Sequence, residues 1–94
     1  LLNEVKLALR ISKENNQFDT ELTDLISAAR NDLITAGVKS EIANSDSNIL
    51  AKQAIIFYCK ATFGFDNQDA GRFNNLYIDK KNTLAMYGGE ADEI

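Results

Sequence analysis

Enzymatic chemistry needs nucleophiles, bases or metal ligands at workable spacings, and this chain carries one Cys and no His. Without His the commonest general base, proton shuttle and metal ligand is missing. Cys59 has neither an activating imidazole nor a second thiol, and one Cys builds no Cys-rich zinc site. Within an apolar stretch it reads as a small buried hydrophobe. Asp66, Gln68 and Gly71 imitate the opening of a calcium loop, but Ala70 occupies a ligand position and Tyr77 stands where the closing bidentate Glu is required. That segment reads as a turn leading into a helix. Glu21 and Asp24 share one helix side, yet nothing beside them would desolvate one carboxyl and separate the two pKa values, so they read as a solvated face. Arg72, Lys80 and Lys81 with Phe73 and Tyr77 form the one local basic and aromatic cluster. Three cations on an acidic chain make a weak phosphate footprint, and a partner-facing or snorkelling role is expected for them. No catalytic, cofactor-binding or metal-ligating residue is assigned.

The wider composition points the same way. Ten basic against fourteen acidic residues give a net charge of −4, the wrong sign for an unassisted grip on DNA phosphates or anionic lipid. The longest apolar run, residues 54–59, falls far short of the ~18 or more of a membrane span. The opening Leu1-Leu2-Asn3-Glu4 lacks the basic region of a signal peptide, and a cytosolic or virion-borne protein without a membrane is expected. The absence of Pro, with 45% hydrophobic and 26% charged residues, favours uninterrupted helices and an all-α class. A chain of 94 residues forms one modest core and folds with stability near the lower end of ~5–15 kcal/mol.

Periodicity predicts a compact bundle of about four helices in one domain, residues 1–89, followed by a short acidic tail, residues 90–94. The first helix follows Asn3 as N-cap, with Leu2 and Leu7 as a hydrophobic staple and Leu2, Val5 and Leu9 on its inner stripe, and frays over residues 12–17. The second follows Asp19 as N-cap. Its stripe is Leu22, Leu25, Ile26, Ala29, Leu33 and Ala36, and Gly37 ends it in a left-handed position with Val38 placed against Leu33. After a loop over residues 39–45, an N-cap near Asp46 and Ser47 opens a third helix to about Phe63, stopped by Gly64. This helix is apolar almost all round, through Leu50, Ala54, Phe57 and Ala61 on one face and Ile49, Ile55, Ile56, Cys59 and Phe63 on others, and is expected at the centre. Asp69 caps a fourth, with Phe73, Leu76, Tyr77, Leu84 and Tyr87 as its stripe before Gly88-Gly89.

Several apolar residues miss these stripes: Leu7, Ile11, Ile34 and Ile78. They fit either a second buried surface between subunits or a wider core within the chain. Lys80 falls on the inner stripe, where it either snorkels or pairs with an acid across a subunit boundary. With Lys81 and the tail acids Glu90, Asp92 and Glu93, these residues form the candidate subunit or partner interface. The tail is expected to order only on docking.

Leu25-Ile-Ser-Ala-Ala-Arg-Asn-Asp-Leu-Ile34 and Ala51-Lys-Gln-Ala-Ile-Ile-Phe-Tyr-Cys-Lys-Ala-Thr-Phe-Gly-Phe-Asp-Asn-Gln-Asp-Ala70 resemble the head-tail connector (head-completion adaptor) family of tailed bacteriophages, nearest its Gram-positive phage and prophage branch. Arg72-Phe73 and Tyr77 extend the likeness, which runs from Val5 to about Gly88. The resemblance implies a structural subunit without enzymatic activity. Such a subunit forms a ring of about a dozen copies beneath the portal protein, at the virion neck, after assembly in the host cytoplasm. Its implied partners are the portal, a tail-side head-completion protein and further copies of itself, with double-stranded DNA passing through without tight binding. Where other branches carry a Trp- or His-containing stretch, this chain has Phe63-Gly64-Phe65. The alternative reading is a small helical interaction, regulatory or packaging accessory module. A helix-turn-helix DNA reader ranks last, because the central helix lacks an exposed basic face.

Overall fold

A segment apolar on nearly every side has to be enclosed, and residues Ile49–Thr62 form the helix around which the rest of the chain assembles. The computed structural model describes residues 1–64 and 67–87. It is all-α: α1 (Leu2–Ala8), α2 (Asp19–Thr35), α3 (Ser40–Ala43), α4 (Ile49–Thr62) and α5 (Ala70–Tyr87), with no strand among the described residues. The candidate residues Glu90, Asp92 and Glu93 lie outside them.

Ala51, Ala54, Ile55 and Cys59 of α4 are fully buried, and α1, α2 and α5 all pack on this helix. A connection of seven residues, 63–69, turns α5 back along it. Phe57 stacks on Phe73 with centroids 6.4 Å apart, and Tyr58 meets Tyr77 edge-on at 5.2 Å. On the other flank α2 buries Leu22, Ile26, Ala29 and Leu33, and Phe18 at its start meets Phe63 at the end of α4 edge-on at 5.4 Å. The two helices therefore run in opposite directions. Of the expected core, Leu22, Ile26, Leu33, Ala54, Tyr77 and Leu84 are buried, while Leu25, Leu50, Phe57, Ala61 and Phe73 are half-buried.

Gly37 ends α2 at φ +107°, with the Val38 N–H donating to the Leu33 carbonyl and the Gly37 N–H to that of Ile34, both at 3.0 Å. This is a Schellman cap, and Val38 is buried with it. The same hydrogen-bond pattern ends α1, from Ile11 to Lys6 at 2.8 Å and from Arg10 to Leu7 at 3.0 Å. There the left-handed position, φ 61°, is occupied by Arg10 instead of Gly.

The structure corrects several local expectations. α1 starts at Leu2, ahead of Asn3, and Leu7 is 78% exposed, so no Leu2–Leu7 staple forms. Phe18 holds the N-cap position of α2, and Asp19 is its first helical residue, drawn to Lys6 instead of its own backbone. Ala36 is the exposed C-cap. The loop before α4 contains the one-turn helix α3, and Asn48, in place of Asp46 or Ser47, caps α4 by accepting the Ala51 N–H at 2.9 Å. Leu76, expected in the core, is 36% exposed. Since α5 packs chiefly on α4, its buried stripe is one helix wide and Leu76 falls beside it.

Candidate functional site

The one thiol is sealed. Cys59 is fully buried and desolvation pushes its pKa up to about 12, so at neutral pH it is neither thiolate nor nucleophile. Among the described residues no three His, Cys, Asp or Glu side chains gather as a metal site would require. Glu21 and Asp24 are exposed.

What the polar side chains do is fasten helices to one another. Lys6, only 1% exposed, donates to the Lys13 carbonyl at 3.0 Å and pairs at 2.9 Å with Asp19, tying α1 and the following turn to α2. Lys52 pairs with Glu4 at 2.5 Å and joins α1 to α4. Arg30 donates to the carbonyls of Ala43 and Ser45 at 3.0 and 3.4 Å and to Asp46 at 2.6 Å, clamping the α3 loop onto α2. That guanidinium holds the Asp46 carboxyl below the usual carboxylate range. Asp32 accepts from the Tyr77 hydroxyl at 2.5 Å and from Lys81 at 3.1 Å. The Tyr77 hydrogen bond, then Lys81, lowers the Asp32 pKa, while burial and the carboxylate together raise the phenol's.

The signals for these contacts were partly available in sequence. Lys6 stands four residues after Leu2 and so shares its buried face. Arg30 and Asp32 lie within the string that carries the family resemblance, but no spacing rule connects Arg30 to Ser45 or Asp32 to Tyr77 before the fold is known.

The candidate interface residues divide. Leu7 is exposed, and with Asn3, Glu4, Ile11 and Lys13 it lines a shallow depression of about 280 Å³. Ile11 itself is half-buried against the core. Ile34 and Ile78 sit just on the exposed side, while Ile49 at 62% and Met86 at 75% are apolar surface that periodicity did not single out. Lys81 is engaged with Asp32 inside the chain. Lys80 is half-buried and has no ion pair among the described residues.

A second open depression, of about 380 Å³, lies where the end of α1 meets the turn between α4 and α5. Its lining includes Leu9, Arg10, Lys60, Phe63, Asn67 and Phe73. The Asn67 side-chain amide donates to the Lys60 carbonyl and pins the turn. Lys60 and Arg72 both lie over the Phe73 ring, at 4.9 and 4.8 Å from its centroid.

No helix among the described residues is long and apolar enough to cross a membrane. A family model described as "Phage connector protein" matches residues 1–91. No curated protein and no solved structure matches the chain significantly.

Proposed function

The chain belongs to the phage connector protein family, and from that premise we propose that it is a structural subunit of the virion neck, forming a ring beneath the portal protein that extends the DNA channel and receives a tail-side protein. The observation that carries this reading is the family match over residues 1–91, nearly the whole chain. Two features of the structure support it. Polar groups of the kinds that serve chemistry hold helices together instead, and Leu7, Ile49 and Met86 remain exposed in a chain small enough to gain stability from neighbours. The net charge of −4 suits a conduit wall, which should repel phosphate instead of trapping it.

Mixing the purified chain with the portal protein of its own genome tests the reading. Native mass spectrometry and electron microscopy should show a closed ring of the chain stacked on the portal, in a fixed subunit ratio. A chain that stays unbound at high micromolar concentration would sink the proposal.

A further inference from the structure

We infer that the depression between α1 and the α4–α5 turn, walled by Arg10, Lys60, Phe63 and Phe73, receives the acidic segment of residues 90–94 from a second copy of this chain. The inference deepens the proposed self-assembly and rests on it.

Charge supplies the first argument. On a chain with four more acids than bases, Arg10 and Lys60 meet in one concavity, and neither has a carboxylate partner among the described residues. Asp69, the acid among the described residues at its rim, already faces Arg72 at 3.6 Å. Residues 90–94 read Glu-Ala-Asp-Glu-Ile, three carboxylates interleaved with two apolar side chains. Carboxylates match the two cations, and the apolar side chains match the Leu9, Phe63 and Phe73 walls. A phosphate backbone would satisfy only the first requirement.

Reach supplies the second. Phe73 lies fourteen residues before Tyr87 on α5, ~21 Å along the helix axis. Glu90, Asp92 and Glu93 follow Tyr87 by three, five and six residues, so at full extension Glu90 spans ~10–11 Å, Asp92 ~17–18 Å and only Glu93, at ~20–22 Å, draws level with Phe73. Returning along its own helix would also spend residues on reversing direction, so the three carboxylates together fall short of their own depression. A neighbouring copy has no such restriction. The resulting contact joins two different surfaces, the heterologous type that closes rings.

Arg10 supplies the third. It holds a left-handed backbone position that Gly occupies without strain, as Gly37 does at the end of α2. A cation kept there against the local preference is explained if its side chain is used.

The test titrates the dilute, isotope-labelled full chain with the peptide Gly-Gly-Glu-Ala-Asp-Glu-Ile, followed by NMR. Shifts should concentrate at Arg10, Lys60, Asn67 and Phe73, and a peptide with Gln and Asn for the three acids should fail to produce them. Arg10→Gly and Lys60→Gln should each weaken binding by about tenfold, while Arg10→Gly keeps or raises the melting temperature, which separates binding from folding. Absence of shifts, shifts elsewhere, or unchanged affinity in both variants would overturn the inference. So would stronger occupation of the site by a short DNA duplex than by the peptide. If the double variant still forms rings on the portal, the inference fails and the connector role stands. If the unaltered chain binds the peptide here but forms no ring with the portal, the connector role fails and the site stands.

Discussion

Tyr77 is buried with its hydroxyl on the Asp32 carboxylate, and the two groups couple stability to pH at opposite ends of the scale. The Asp32 pKa is held below its ordinary 3.8 in the fold, so its contribution is present above that value and lost as pH falls through the folded one. The Tyr77 pKa is raised above its ordinary 10.0, so its contribution is present below pH 10 and lost as pH rises toward the folded value. Tyr77→Phe should cost ~1–2 kcal/mol at neutral pH. Urea unfolding should show the gap between the two proteins narrowing as pH falls below 3.8 and as it rises above 10.0; a gap that is constant with pH would contradict the assignment. Cys59 allows an independent check. With its thiol sealed and its pKa near 12, it should react with an aromatic disulfide reagent only as fast as the chain opens. Reaction at the rate of a free thiol in the native protein would show that α4 is not enclosed.

At the scale of the elements, capping decides where the helices lie. Asn48 is buried and its side chain accepts the Ala51 N–H, so Asn48→Ala should cost ~1–2 kcal/mol, whereas Ser47→Ala should cost well under half of that. Thermal unfolding of the two variants checks this, and equal losses would return the cap to Ser47. The same comparison shows what was legible in the residues. α2, with its stripe and its Gly37 cap, and α4, with its all-round apolarity, were readable because periodicity and a left-handed Gly are local signals. The choice among Asp46, Ser47 and Asn48 was not, since all three are competent caps. It is settled by Arg30, which takes Asp46, and by the Ser45 hydroxyl, which accepts the Ser47 and Asn48 N–H groups at 3.1 and 3.0 Å. α3 escaped notice because one turn is too short to show a period. Arg10 at the end of α1 escaped because Arg is not a left-handed signal, and the depression it lines draws on three separate parts of the chain. The candidate surface was legible only as a surplus of apolar residues off the main stripes: Leu7 lay among them, whereas Ile49 was counted toward the central helix and Met86, although off the stripe of α5, was not singled out.

For the whole molecule, the acidic charge and the exposed apolar side chains fit a part that joins other parts and lets DNA pass. The free chain should accordingly show no salt-sensitive affinity for duplex DNA. A micromolar complex at ~150 mM salt that weakens steeply with added salt would contradict the proposed phosphate-repelling conduit wall. Assembly carries more weight than the absence of DNA binding, because many acidic proteins ignore DNA. The most direct measurement is therefore native mass spectrometry of the chain mixed with its cognate portal. The account predicts a single complex in which a closed ring of this chain is bound to the portal in a fixed ratio. Free portal beside an unassociated chain, at concentrations that saturate specific assembly, would contradict it.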